Sequence, residues 1–199
     1  RGTWTKGAVR ATDITLPHLR DPGLSKEGVN VPFTAAFQAV TVPNGASLDV
    51  RDTGADLSAL GRYTLAGWVK ADTLGAGRKL FEVGTEGSML TVSASSNCGG
   101  GALSASLGTA TIDGDACEHG LAPGRWSFVA LVQDATTRAL YVDGHRQKLV
   151  SGSTSLFSAA LPQARRFKVG EGVSLGWMAL FPRAVSATEL DSLRSSGPA

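Results

Sequence analysis

From Phe37 onward, short runs of β-branched and aromatic residues alternate with turn-forming Gly, Pro, Asn and Asp at intervals of about 8–12 residues. That rhythm predicts an antiparallel β-sandwich. Strands are predicted over Phe37–Val42, Tyr63–Lys70, Lys79–Val83, Met89–Ala94, Ala102–Leu107, Thr109–Ile112, Trp126–Asp134, Arg138–Val142, Gln147–Val150, Phe167–Val169 and Ser174–Phe181. In the stretch from Trp126, the positions Trp126, Phe128, Ala130 and Val132 fall on one face of an extended strand, and Val129 and Leu131 on the other. Both faces are apolar, which predicts a central strand covered on each side. A turn at Asp134–Thr137 and the pair Asp143-Gly144 then make a meander of three strands, the second turn needing positive φ angles.

One helix is predicted. Ser186-Ala-Thr-Glu189 has the spacing of a capping box, and Leu190 and Leu193 give the following turn an apolar side. A single helix after the last strand makes no parallel α/β layer, so the fold class is all-β: a two-sheet antiparallel jelly-roll sandwich with one short C-terminal helix. Residues 1–36 carry Pro17, Pro22 and Pro32 and read as an irregular leader, with Ala8–Ile14 and Val29–Phe33 able to pair. The whole of 1–199 reads as a single domain with its core over 37–193.

Composition agrees with a packed domain. Of the 199 residues, 42% are hydrophobic and 18% charged, which excludes disorder as the general state. The 25 glycines follow no repeating period and suit many tight turns. A net charge of +2 provides no field for steering nucleic acid, so no nucleic-acid partner is expected. Arg78-Lys79, Arg165-Arg166 and His145-Arg146-Gln147-Lys148 are small basic spots that read as solvated loop charges. No apolar run approaches the ~20 residues needed to span a bilayer; Phe128–Val132 is as long as they get. Beginning at Arg1 without an initiator Met or signal peptide, the chain reads as a processed piece of a larger protein.

Cys98 and Cys117 sit in the polar, turn-like surroundings Ser-Ser-Asn-Cys-Gly and Asp-Ala-Cys-Glu-His. A disulfide of a secreted or surface domain competes with a pair of reduced thiols, and the polar surroundings favour the disulfide. Zinc is not expected, because no second Cys-x-x-Cys accompanies the pair.

Five segments, in order, carry a family resemblance: Val40-Thr-Val-Pro-Asn-Gly-Ala-Ser-Leu-Asp; Tyr63-Thr-Leu-Ala-Gly-Trp-Val-Lys-Ala-Asp; Gly124-Arg-Trp-Ser-Phe-Val-Ala-Leu-Val-Gln-Asp; Arg138-Ala-Leu-Tyr-Val-Asp-Gly; and Ala179-Leu-Phe-Pro-Arg-Ala-Val-Ser-Ala-Thr-Glu-Leu. The set resembles laminin G-like jelly-roll domains of the concanavalin A-like lectin/glucanase superfamily. That resemblance implies two antiparallel sheets of six or seven strands, with loops gathered at the rims. It leaves function open, because the superfamily holds lectins, adhesion modules, pentraxins and glycoside hydrolases. The chain departs from the family at one place. Many members carry an acidic residue before the final strand, whereas Gly172-Val-Ser-Leu-Gly-Trp-Met-Ala-Leu-Phe has none.

Candidate chemistry narrows the choice. Glucanases of this fold set their carboxylates on one strand as Glu-x-Asp-x-x-Glu, a motif absent here. Glu82 and Glu86 are the nearest acidic pair and read as a solvated loop. No nucleophile elbow is recognised, and His18, His119 and His145 lie in loops or turns without a neighbouring nucleophile. Gly99-Gly100-Gly101 does not lead into a helix that could hold phosphate. Asp113, Asp115 and Glu118 form the strongest acidic cluster, with the oxygen ligands and glycine of a Ca²⁺ site or of an ordinary hairpin tip. The loop from Asp49 through Asp52 to Asp56 is a second candidate. Trp68, Trp126 and Trp177 read as core, while Trp4 precedes any pattern. No exposed ring for stacking on a sugar stands out. The expectation is therefore a non-catalytic binding module of an exported or surface protein, recognising a glycan. The alternative is a protein-interaction, adhesion or structural module without sugar binding; a glycoside hydrolase ranks third.

Overall fold

The computed structural model describes residues 2–4, 39–46, 48–51, 61–85, 88–152 and 166–195. Among these, the alternating segments become β1 (Gly2–Trp4), β2 (Val40–Val42), β3 (Leu48–Arg51), β4 (Tyr63–Ala71), β5 (Lys79–Thr85), β6 (Ser88–Ala94), β7 (Leu103–Leu107), β8 (Ala110–Asp113), β9 (Ser127–Gln133), β10 (Thr137–Val142), β11 (His145–Ser151), β12 (Arg166–Val169) and β13 (Val173–Phe181). The helix α1 spans Ala187–Arg194. One sheet has seven strands in the order β1-β3-β12-β5-β6-β7-β8 and the other six in the order β11-β10-β9-β4-β13-β2. Every pairing is antiparallel. The all-β sandwich expected from the sequence is the architecture found.

Each strand read from the sequence recurs with shifted ends. Two more were not anticipated. The leader, expected to be irregular, supplies β1, and the candidate loop beginning at Asp49 is β3 over Leu48–Arg51. Asp52 and Asp56, the leader stretches 8–14 and 29–33, His18, Glu86 and Arg165 lie outside the described residues.

Alternation places one side of each strand in the space between the sheets. Leu48, Phe81, Val83, Leu90, Val92, Leu103, Ala105, Ile112, Phe167 and Val169 come from the seven-stranded sheet. They meet Val42, Tyr63, Leu65, Val69, Val129, Leu131, Leu140, Leu175 and Leu180 from the other. Each fully buried Leu or Phe contributes about 1.5–3 kcal/mol.

A second apolar cluster lies on the outside of the six-stranded sheet. Ala66, Trp68, Phe128, Ala130 and Val132 are buried there with Val185 and Leu190, and Trp126, Tyr141, Trp177 and Leu193 pack around them half-buried. Every residue of β9 is consequently buried, as its two apolar faces predicted. The cover is α1. Ser186 Oγ accepts the Glu189 N–H at 3.3 Å and Glu189 Oε2 accepts the Ser186 N–H at 2.8 Å, completing the capping box. The segment leading into the helix is pinned to β4, because Thr64 Oγ1 accepts the Val185 N–H and donates to the Arg183 carbonyl, both at 3.0 Å. At its far end the helix sits on the β10–β11 turn, where a Cβ on Gly144 would meet Asp191 Oδ1 at 2.9 Å.

That turn explains one resemblance motif. Asp143 and Gly144 take φ angles of 51° and 83°. Asp143 Oδ1 accepts the Phe128 N–H at 2.7 Å, while its own N–H donates to the Phe128 carbonyl at 2.7 Å. Asp143 is thus a structural turn residue that ties the hairpin to β9.

Candidate functional site

The inward residues of the seven-stranded sheet leave their alternates on its outer face, and register lines these up across the strands. Asp49 of β3 is opposite Lys168 of β12, which is opposite Glu82 of β5. Thr91 of β6, Ser106 of β7 and Thr111 of β8 continue the same row. Five interstrand steps make it about 24 Å long. A second row, Lys79, Ser93, Ser104 and Asp113, runs beside it. The two rows hold hydroxyls, carboxylates and ammonium groups and no aromatic ring.

Glu82 is the centre of this surface. Its side chain is only 13% exposed. Oε1 accepts from Lys79 Nζ at 2.8 Å and from Thr91 Oγ1 at 2.9 Å. Burial alone would raise the carboxyl pKa. The hydrogen bonds from Lys79 and Thr91 and the charges of Lys79 and Lys168 outweigh it, holding the group below its ordinary value. Both bonds fall on Oε1, and Oε2 has no partner among the described residues. Lys168 is half-buried and makes no hydrogen bond or ion pair with a described residue. An acceptor and a donor therefore stand side by side at the middle of the row. The solvated-loop reading of Glu82 is corrected: it lies inside β5, and the cations beside it are what permit its burial.

The second row lies along the rim where the connections after β4, β6, β8 and β12 gather. A cleft of about 500 Å³ opens there between the turn 74–79 and Gly170–Glu171. Lys79 belongs to both cleft and face. Arg78, read from the sequence as a solvated charge, has a side chain only 24% exposed. Its Nη2 donates to Thr73 Oγ1 at 2.6 Å and its Nη1 to the Glu171 carbonyl at 3.1 Å.

The same edge carries the Cys98–Cys117 disulfide, which closes a 19-residue separation. It joins the turn after β6 to the segment after β8. The acidic cluster beside it does not assemble as a metal site. Asp115 pairs with Lys148, and among the described residues no three His, Cys, Asp or Glu side chains come together to hold an ion. Asp113 ends the second polar row on β8, and Glu118 lies exposed in the short 3₁₀ turn Cys117–His119. His119 and His145, separate in the sequence reading, stack with ring centroids 3.5 Å apart. Of the tryptophans, Trp68 is buried at 7% exposure, but Trp126 and Trp177 are only half-buried. Lys70 Nζ lies 5.4 Å from the Trp126 ring centre, a cation–π distance.

One pattern escaped the sequence reading. Gly172-Val-Ser-Leu-Gly176 spells Gly-x-Ser-x-Gly. It forms no strand-to-helix elbow, however, because it runs into β13 with Ser174 at 2% exposure and its hydroxyl bonded to Thr41 Oγ1 at 2.9 Å.

A laminin G-type family model, described as the concanavalin A-like lectin/glucanases superfamily, matches residues 36–189. The chain belongs to this family. No curated protein matches it. Among solved structures it is similar to domain 4 of AbnA, a GH43 extracellular arabinanase from Geobacillus stearothermophilus, in complex with arabinotriose. That match has 14% identity and a TM-score of 0.60 over 78% of this chain and 76% of that one. The heptameric SAP-like pentraxin of Limulus polyphemus matches at 14% identity and TM-score 0.58, over 80% and 82% of the two chains. Trypanosoma rangeli sialidase matches at 21% identity and TM-score 0.51, over 78% of this chain and 29% of that one. At such identities the likeness concerns the fold.

Proposed function

We propose that this laminin G-type domain is a non-catalytic module of an exported or surface protein and that it lays a glycan across the outer face of its seven-stranded sheet. The observation that carries this reading is the polar row through Glu82 and Lys168. Glu82 Oε2 accepts and Lys168 Nζ donates, and the hydroxyls of Thr91, Ser106 and Thr111 extend the row in one direction. Sugar hydroxyls are both donors and acceptors, and a pre-formed set of such groups fixes their orientation.

The electrostatics at Glu82 do not suit the general acid of a glycosidase. A glycosidase acid needs a carboxyl with a raised pKa. The carboxyl at the centre of this face is instead held low by the cations around it. The disulfide is compatible with an oxidising, extracellular setting. Among the described residues no helix is long and apolar enough to cross a membrane. The arabinotriose complex of the Geobacillus domain recommends arabino-oligosaccharides as one probe.

A glycan array with and without EDTA tests the proposal. Binding to at least one polyhydroxylated chain is expected, and silence under both conditions contradicts it. A protein-docking module is the second reading, favoured by Leu149, which stands 45% exposed on β11 at the end of the six-stranded sheet. A silent array together with co-purification of a protein partner that Leu149→Glu abolishes would replace the glycan by that partner.

A further inference from the structure

We propose that Arg78 is a built-in cation of the sandwich edge: its guanidinium occupies an oxygen-lined position between loops, so the edge needs no divalent metal, and removing the side chain uncovers a calcium-type site. The inference concerns the edge and holds whatever ligand the sheet face takes.

The connections following β2, β4 and β12 meet at this position. The carbonyl of Glu171 accepts from Arg78 Nη1 at 3.1 Å, and Glu171 Oε1 lies 3.7 Å from the same nitrogen. Thr73 Oγ1 accepts from Nη2 at 2.6 Å. Asn44 Oδ1 and Arg78 Nη1 both lie against Gly172, where a built Cβ would stand 2.6 Å and 3.9 Å from them. Glu171 Oε2 accepts the Gly45 N–H at 2.9 Å, and the Asp72 N–H donates to the Gly172 carbonyl at 2.9 Å, so the loops are tied to one another around the guanidinium. With φ at +64° and Asn44 so close, a side chain at position 172 would be strained, and glycine is favoured there.

A main-chain carbonyl, a carboxylate, a hydroxyl and an amide oxygen are hard donors of the kinds that hold Ca²⁺. Charge decides which cation they take in this chain. Glu171 supplies one negative charge, which one guanidinium balances; a divalent ion with Arg78 still present would meet a fixed positive charge within the same set of oxygens. The planar fork of an arginine also matches donors arranged on one side of it. Elsewhere on this edge the carboxylates are compensated in the same way, Asp115 by Lys148 and Asp143 by Arg125. Glu171 lies one position before the stretch Gly172–Phe181 that was compared with the family's final strand.

Thermal unfolding of the full chain and of the Arg78→Ala and Arg78→Lys variants, each in EDTA and in about 10 mM CaCl₂, tests the inference. The wild-type and Arg78→Lys proteins are expected to melt at the same temperature in both buffers. Arg78→Ala is expected to melt lower in EDTA and to recover by about 3–5 °C in calcium, the shift for a site with a dissociation constant near the millimolar range. A calcium-dependent rise in the wild type overturns the inference, and so does a folded Arg78→Ala protein that ignores calcium. Should Arg78→Ala fail to fold, Arg78→Met takes its place, keeping an apolar stem without the charge: binding heat on calorimetric titration with CaCl₂ that the wild type lacks supports the built-in cation, and a folded Arg78→Met protein without that heat contradicts it.

Discussion

The outer faces of the two sheets are opposites. Outside the six-stranded sheet, Trp68 and Phe128 stand with ring centroids 5.7 Å apart, and Phe128 and Trp177 follow at 5.8 Å, beneath a capped helix. Outside the seven-stranded sheet, the equivalent positions are Glu82, Thr91, Ser106, Thr111 and Lys168. One face is an extension of the core and the other is a surface of hydrogen-bonding groups. Both sheets share a single packed interior, so the polar rows rest on a floor whose geometry is set by Phe81, Val92 and Ala105 behind them. On the glycan reading proposed above, it is this preorganisation that would let a face without a stacking ring hold a polar ligand.

Substitutions should separate the faces by stability. The largest loss is expected for Phe128→Ala, about 3–5 kcal/mol in denaturant unfolding, because Phe128 is fully buried under α1. Trp126→Ala, at the half-buried margin of the same cluster, should cost less than about 3 kcal/mol. Replacing Cys98 and Cys117 together by Ala should lower stability by about 3 kcal/mol under non-reducing conditions, given the 19-residue separation they close. A disulfide-free variant as stable as the wild type would show that the edge loops hold themselves. Ser186→Ala should cost about 1 kcal/mol through loss of the helix cap.

Next comes a pH effect. Hydrogen bonding from Arg183, with help from Ser186, holds the Glu189 carboxyl down to about 2 from its ordinary 4.5. A carboxyl depressed on folding adds stability that is present above the unfolded pKa and disappears as pH falls through the folded one. The helix should therefore weaken between about pH 4.5 and about 2, and Glu189→Gln should remove that slope. Lys168→Ala removes one of the charges that hold Glu82 and is expected to cost about 0.5–1 kcal/mol, because Lys79 and Thr91 still bond that carboxylate, yet glycan binding should fall at least about tenfold with it, equivalent to about 1.4 kcal/mol. Loss of stability instead of binding would make the polar face structural.

The aromatic face was the more legible of the two in the sequence. Alternation in Trp126–Val132 showed two apolar sides, and Ser186 with Glu189 announced the helix that covers one of them. The polar face was hidden for a physical reason. Its residues come from strands far apart in the chain, and β12 enters the sheet between β3 and β5 only through tertiary pairing. Leu-Asp-Val-Arg at 48–51 does alternate apolar and polar as a half-buried strand does, but the run is only four residues long and its carboxylate invited a ligand-loop reading instead. Likewise Glu82 reads as solvated until Lys79, Thr91 and Lys168 are placed around it. The cysteine pair was visible from its surroundings. The involvement of Arg78 with Glu171 was not, since the two residues lie 93 positions apart in the chain.

The most direct test of the division between faces is a backbone amide chemical-shift map of the isotopically labelled domain, titrated with an oligosaccharide selected on the array. Perturbations should concentrate at Glu82, Thr91, Ser106 and Lys168 and leave Ala66, Phe128 and Tyr141 unmoved. A map centred on Trp126, Tyr141 and α1, with the residues around Glu82 silent, would contradict the account.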